Sequence, residues 1–184
     1  MMKSSRLYHM VLAGVLCAVG IVVPMFMPRV VLGPMSFTLA SHVAVFLGMF
    51  ISPAVAVAVC IGTTLGFFLT TPAIIALRAA SHIVFAGLGA LYLKKHPDTI
   101  DRPVASTVFN FVIALLHAAA EMIVVAPFFL LGALFTPEQL ANGFVTSVVL
   151  LVGLGTLIHS MLDYSISILI WKPVSLAVPR STKA

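Results

Sequence analysis

Charge is what this chain has least of. Of its 184 residues only 8% are Asp, Glu, Lys or Arg, and only 5 of those are acidic. Soluble domains carry roughly a quarter charged residues and about half apolar ones. Here 61% are hydrophobic and the mean hydropathy is +1.19, so a water-facing surface cannot be assembled. Cysteine is nearly as scarce. Cys17 and Cys60 both lie inside apolar runs, which excludes a disulfide framework and leaves them as small packed hydrophobes. No GxxxxGK[ST] loop is present, so energy for uphill transport would have to come from a partner or an ion gradient. No GxSxG elbow or HExxH pair is present either, and an intramembrane enzyme is the least favoured class. The net charge of +5 does not point to nucleic acid. Eight of the 10 Lys and Arg sit near the chain ends or in one short loop, which is the pattern of membrane topology.

What the chain has is apolar runs. A spanning helix takes roughly 20 mostly apolar residues, and six segments are expected, over about 7–27, 38–52, 53–69, 72–93, 105–131 and 144–171. The fold class is therefore an all-α integral membrane protein, with 1–184 a single membrane domain. Lys3 and Arg6 precede the first segment, which reads as a membrane helix and not as a cleaved signal. Pro28 and Arg29 end it, and 30–37 is a connection containing Gly33-Pro34. Pro53 and Pro72 open helices, a favourable first-turn use. The second and third segments are short for full spans, and a re-entrant hairpin there is the alternative. Pro127 bends the end of the fifth, and 136–143 is a polar turn. Six crossings put Lys3, Arg6, Lys94, Lys95, Arg102, Lys172, Arg180 and Lys183 on one side. By the positive-inside rule that side, with both termini, is the cytoplasm.

Apart from His9 at the very start of the first span, seven ionisable residues fall within these spans: His42, Arg78, His82, His117, Glu121, His159 and Asp163. Such residues are costly in a bilayer and face the protein interior or a wet cavity. Six of them form i,i+4 pairs, Arg78 with His82, His117 with Glu121 and His159 with Asp163, so three helices each present a polar stripe. On the assigned topology His42, Arg78 and Glu121 lie in the outer halves of their helices and His82 and His117 near the middle, a group able to line a pocket open to the outside. Arg78 could hold a carboxylate or phosphate through its planar fork. The competing reading is a buried Arg78–Glu121 ion pair with histidines satisfying one another. His159 and Asp163 fall in the inner half of the last helix, where Asp163 orients His159 without any ligand. No metal site is expected, because the His and carboxylate candidates sit on different helices. Small residues recur four apart, at Gly14 and Ala18, Gly62 and Gly66, and Ala86 and Ala90, a spacing that lets helices approach closely in lipid.

These residues resemble a known family. The small-residue first helix Ala13-Gly14-Val15-Leu16-Cys17-Ala18 is part of the likeness, as is a Pro-containing loop after it. Closer still are Gly33-Pro34-Met35-Ser36-Phe37-Thr38-Leu39-Ala40-Ser41-His42, Met49-Phe50-Ile51-Ser52-Pro53 and Leu77-Arg78-Ala79-Ala80-Ser81-His82. Together they resemble the substrate-binding S components of energy-coupling factor (ECF) vitamin transporters, and among these the niacin-transporter branch. The likeness covers essentially the whole chain. It implies a six-helix protein with cytoplasmic termini that binds a vitamin from outside, in a pocket made by the first loop and the outer parts of the later helices. An ECF transmembrane subunit and two ATPases would supply the work, so this chain binds no cofactor and ATP is used by its partners. Gly14 and Ala18 would face the transmembrane partner. The substrate would be a small anionic heteroaromatic acid such as nicotinate. Arg78 would be its carboxylate anchor, with His42, His82, His117 and Glu121 shaping the pocket, Arg29 assisting and Phe37 or Phe67 stacking on the ring. Pantothenate, cobalamin and a queuosine precursor are the alternative vitamins. Two other classes remain: a self-sufficient secondary transporter with His–carboxylate proton relays, and a structural membrane protein whose polar pairs only fix helix register.

Overall fold

The computed structural model describes residues 2–176, with side chains from Arg6 onward; Arg180, Lys183 and the side chain of Lys3 lie outside the described residues. The chain forms α1 (Met2–Phe26), a hairpin of β1 (Arg29–Leu32) and β2 (Met35–Thr38), α2 (Val43–Ile51), α3 (Pro53–Thr70), α4 (Ala73–Lys95), a 3-10 turn (Pro97–Asp101), α5 (Pro103–Leu130), a one-turn α6 (Pro137–Ala141) and α7 (Gly155–Val174), which continues a π-helical stretch (Val145–Leu154). Among the described residues five helices are long and apolar enough to cross a membrane: Arg6–Phe26, Pro53–Thr70, Ala73–Lys95, Pro103–Leu130 and Val145–Val174.

The second segment departs from expectation. In place of a helix over 38–52, Thr38 ends a strand, 39–42 is a turn, and only Val43–Ile51 is helical. Nine residues make about 14 Å at 1.5 Å per residue, half of a hydrocarbon core of about 30 Å. The connection over 30–37 is a two-stranded antiparallel hairpin pairing Arg29 with Thr38 and Leu32 with Met35. Its two-residue loop starts with Gly33 at φ +57, where glycine avoids the Cβ penalty of the left-handed region. The hairpin seats itself by Met35, buried directly against Gly155 of α7, where a Cβ would collide with the Met35 thioether.

Packing fixes the directions of the helices. Cys17, Gly20 and Ile21 of α1 lie against Gly62, Thr63 and Gly66 of α3 in the same order along both chains, so α1 and α3 run parallel. The chain between them must return to the starting end, and the hairpin, turn and short α2 make that return. The GxxxG pair is thus consumed in packing inside the bundle, and Ala86 and Ala90 are likewise buried in the core. Gly14 and Ala18 lie on the opposite, exposed face of α1, with nothing within 4 Å of a Cβ built on Gly14. The main core gathers Phe46, Met49, Val55, Val59, Phe85, Ile113 and Tyr164 around α2. Large aliphatics such as Leu69, Ile123 and Leu169 stay exposed, as a lipid-facing surface permits. In the expected polar turn, Thr136 and Gln139 form a reciprocal capping box at the start of α6.

Candidate functional site

The polar stripes of α4, α5 and α7 converge with the turn before α2. The junction is set by Asp163, which is fully buried. Its Oδ1 accepts from the Ala40 amide at 2.8 Å and its Oδ2 from the His42 amide at 2.9 Å. His42 Nδ1 lies 3.1 Å from Oδ2, and His159 Nε2 lies 3.3 Å from the same oxygen. Ala40 holds φ +66, a left-handed conformation that a residue with a Cβ adopts only when its surroundings impose it. The two bonds from Asp163 bracket that residue and draw the turn into the bundle.

This corrects the expected placement of His159 and Asp163 in the inner half of the last helix, apart from the group formed by His42, Arg78, His82, His117 and Glu121. The second segment is not a full helix starting at the surface. Its first third is loop, so residues 40–42 reach Asp163. The π-helical stretch also works in this direction, since its wider winding advances less per residue and leaves His159 closer to the start of its helix. His159 lines the cavity, stacked on Phe37 with ring centroids 4.5 Å apart and planes 24° from parallel, and Ser41 Oγ is 3.1 Å from its Nε2.

The second node is Glu121, 3% exposed. Arg78 donates to its Oε2 through Nε at 3.0 Å and Nη2 at 2.7 Å, and Thr156 donates to the same oxygen at 2.6 Å. The Arg78–Glu121 ion pair therefore forms. Both guanidinium contacts fall on one carboxylate oxygen, and Arg78 Nη1 makes no hydrogen bond among the described residues. Oε1 faces His82 Nε2 and His117 Nε2, each at 3.5 Å. His117 is fully buried. Its Nδ1 pairs with Ser160 Oγ at 3.0 Å, while its Nε2 has no aligned hydrogen-bond partner, and the same holds for His159 Nδ1. The rings of His42, His82 and His117 pack edge to face, with centroids 4.6 to 4.8 Å apart.

Between these nodes and the hairpin lies a cavity of about 110 Å³. Arg29, Phe37, His42, Phe67, Arg78, His82 and Glu121 all line it, together with Ser36, Ser41, Thr71, Thr156 and His159. His117 sits one layer behind. Arg29 is at the mouth, its Nε donating to Ser36 Oγ at 2.9 Å. The serines and threonines left no signal in the sequence; the i,i+4 spacing of His159 and Asp163 did, and only its depth was misjudged. One ligand-type atom each from His42, His82, His117 and Glu121 lie within 4.8 Å of one another, and a second such group comprises His42, His159 and Asp163.

An all-α bundle with five helices of membrane-crossing length and composition, a lipid-type exterior and a partly open cavity into which several polar side chains project defines a multi-pass membrane protein with a small-molecule pocket. The chain is 38% identical over 179 residues to the niacin transporter NiaX of Lactococcus lactis subsp. cremoris (strain MG1363), an alignment covering 96% of this chain and 79% of that protein. It belongs to that transporter's family and is a multi-pass cell membrane protein. No protein-family model matches the chain, and no solved structure does.

Proposed function

We propose that this chain is the substrate-binding S component of an ECF-type ABC transporter. It captures nicotinate from outside the cell and delivers it with an ECF transmembrane subunit and two ATPase subunits, which use the ATP. It crosses the membrane six times, with both termini cytoplasmic, the hairpin–turn–α2 unit serving as the second crossing. The observation that carries the vitamin reading is the cavity. A volume of about 110 Å³ is comparable to the ~150 Å³ cavity known to accept benzene, so it suits a single ring and is too small for cobalamin. Its wall offers an arginine for the carboxylate and a Phe37–His159 stack for the ring. Arg78 is already paired with Glu121, so it holds a ligand carboxylate through Nη1 while Glu121 and Thr156 fix the plane of the fork. The 38% identity to a niacin transporter favours nicotinate over pantothenate. Gly14 and Ala18, exposed on α1, form the face for the transmembrane partner.

The test is calorimetry of the purified chain in detergent against nicotinate, nicotinamide and pantothenate, with no ATPase present. One-to-one nicotinate binding is expected, and Arg78→Ala should weaken it at least tenfold, by the ~1.5 kcal/mol or more of a lost charge-assisted bond. Unchanged affinity in folded Arg78→Ala protein would remove the anchor role, and a folded wild type that binds none of the panel would remove the vitamin reading. A proton-coupled secondary transporter would instead move substrate in vesicles by itself under a proton gradient.

A further inference from the structure

Three imidazoles sharing one buried volume need a reason, since each ring brings nitrogen atoms that must be satisfied out of water. Here the satisfaction is asymmetric. The Asp163 carboxylate accepts from His42 Nδ1, which leaves His42 Nε2 as the lone pair, and Ser160 Oγ engages His117 Nδ1 at 3.0 Å, so that His117 Nε2 is the ring nitrogen left to face inward. His117 Nε2 is buried without a partner, and His82 Nε2 faces only Glu121 Oε1, at the 3.5 Å limit of a hydrogen bond. A carboxylate or hydroxyl holding one ring nitrogen while the other points at a common centre is the outer-shell pattern of histidine metal ligands.

The distances suit this. A tetrahedral zinc with bonds of about 2.0–2.1 Å holds its ligand atoms roughly 3.4 Å apart. Glu121 Oε1 is 3.5 Å from both His82 Nε2 and His117 Nε2, and the whole group lies within 4.8 Å, close enough for ring rotation to complete it. The other grouping, His42 with His159 and Asp163, is less suited, because both Asp163 oxygens already accept backbone amides. The cavity lining carries the guanidiniums of Arg29 and Arg78 and the carboxylate of Glu121, with Asp163 buried behind it; a divalent cation on Glu121 Oε1 adds to the positive charge offered to an anionic guest.

We propose that His42, His82 and His117, with Glu121 Oε1, bind a divalent transition-metal ion of the zinc class at the floor of the cavity. No single helix carries a ligand motif; tertiary packing brings the four ligands together from the α2 turn, α4 and α5. The site does not depend on which vitamin the cavity takes.

The test uses the tag-free full chain in detergent, stripped with a chelator, freed of it, and titrated with Co²⁺ and then Zn²⁺ in the absence of any vitamin. The expected result is one equivalent of Co²⁺ with the intense visible absorption of a four-coordinate ion, displaced by Zn²⁺. His82→Gln and His117→Gln should abolish the colour. Ser160→Ala, which changes only an orienting hydroxyl, should weaken Co²⁺ binding about 10–100-fold, and it carries the test if the histidine variants do not fold. A folded wild type that takes up no Co²⁺ overturns the proposal, as does full binding by folded His82→Gln or undiminished binding by Ser160→Ala. Nicotinate titrated in parallel, with and without chelator, separates the readings. Vitamin binding without metal uptake sinks only the metal site, and metal uptake without vitamin binding sinks only the choice of vitamin.

Discussion

Asp163→Ala should release the turn that forms the pocket's inner wall. In the native chain this carboxylate accepts the amides of Ala40 at 2.8 Å and His42 at 2.9 Å. Hydrogen bonds to a charged acceptor contribute about 1.5–3 kcal/mol each, so the pair contributes about 3–6 kcal/mol. Those bonds also offset the left-handed backbone of Ala40 at φ +66, a conformation costing about 1–2 kcal/mol. With 1.4 kcal/mol per factor of ten, even the low end predicts that the amides of Ala40 and His42 exchange with deuterium about 100-fold faster. Exchange of 38–47, followed by mass spectrometry in detergent, gives the readout, with the amides of α4 as internal standard. Adding Ala40→Gly to the Asp163→Ala chain should recover part of the protection, because glycine adopts the same φ without the Cβ penalty. If Ala40 and His42 stay protected at wild-type level in Asp163→Ala, the carboxylate does not hold the turn and the account of the dipping loop fails.

Three further outcomes follow from the packing and topology. Gly66→Ala places a methyl on Ile21 of α1, so it should lower stability in detergent by about 1–3 kcal/mol. Ile21→Ala should restore part of that loss in the double variant; strict additivity of the two changes would mean that the helices do not meet there. Gly14→Leu with Ala18→Leu touches an exposed face of α1, so the purified chain should keep its thermal midpoint and ligand affinity while cellular uptake collapses. Normal uptake would remove that face from the partner interface. In a Cys17→Ala, Cys60→Ala background, a cysteine at His96 should react with an impermeant maleimide only after the cells are permeabilised; labelling of intact cells would invert the assigned orientation.

The long helices were legible because their signal is simple. Twenty apolar residues between charges or prolines leave few alternatives in lipid, and the starts at Pro53 and Pro103 and the end at Lys95 fall within a few residues of the expected bounds. The hairpin was not legible. Arg29–Thr38 holds only four residues per strand, and its second strand is buried less by its own pattern than by Met35 meeting Gly155 across more than a hundred residues of sequence. The length of α2 was misread for the same reason. The run from Leu39 to Ile51 contains no proline, and its one glycine, Gly48, lies inside the observed helix, so nothing local tells that 39–42 leaves the helix; what breaks it is an acceptor on α7.

The site divides along the same line. Helical spacing reveals which ionisable residues share a face, because four residues return to one side of a helix, and that correctly groups Arg78 with His82, His117 with Glu121 and His159 with Asp163. Spacing says nothing about height relative to a neighbouring element, and height decided the role of the last pair. Once the turn descends, Asp163 stops being a partner of His159 alone and becomes the peg on which Ala40, His42 and the cavity wall hang. The same descent places His42 between His82, His117 and His159. A chain poor in charge therefore concentrates nearly all of its buried charge at one place, where two carboxylates bind one arginine, one strained turn and four imidazoles. Changes at the carboxylates should accordingly be felt across the whole cavity, whereas changes at the lining serines and Thr71 should stay local.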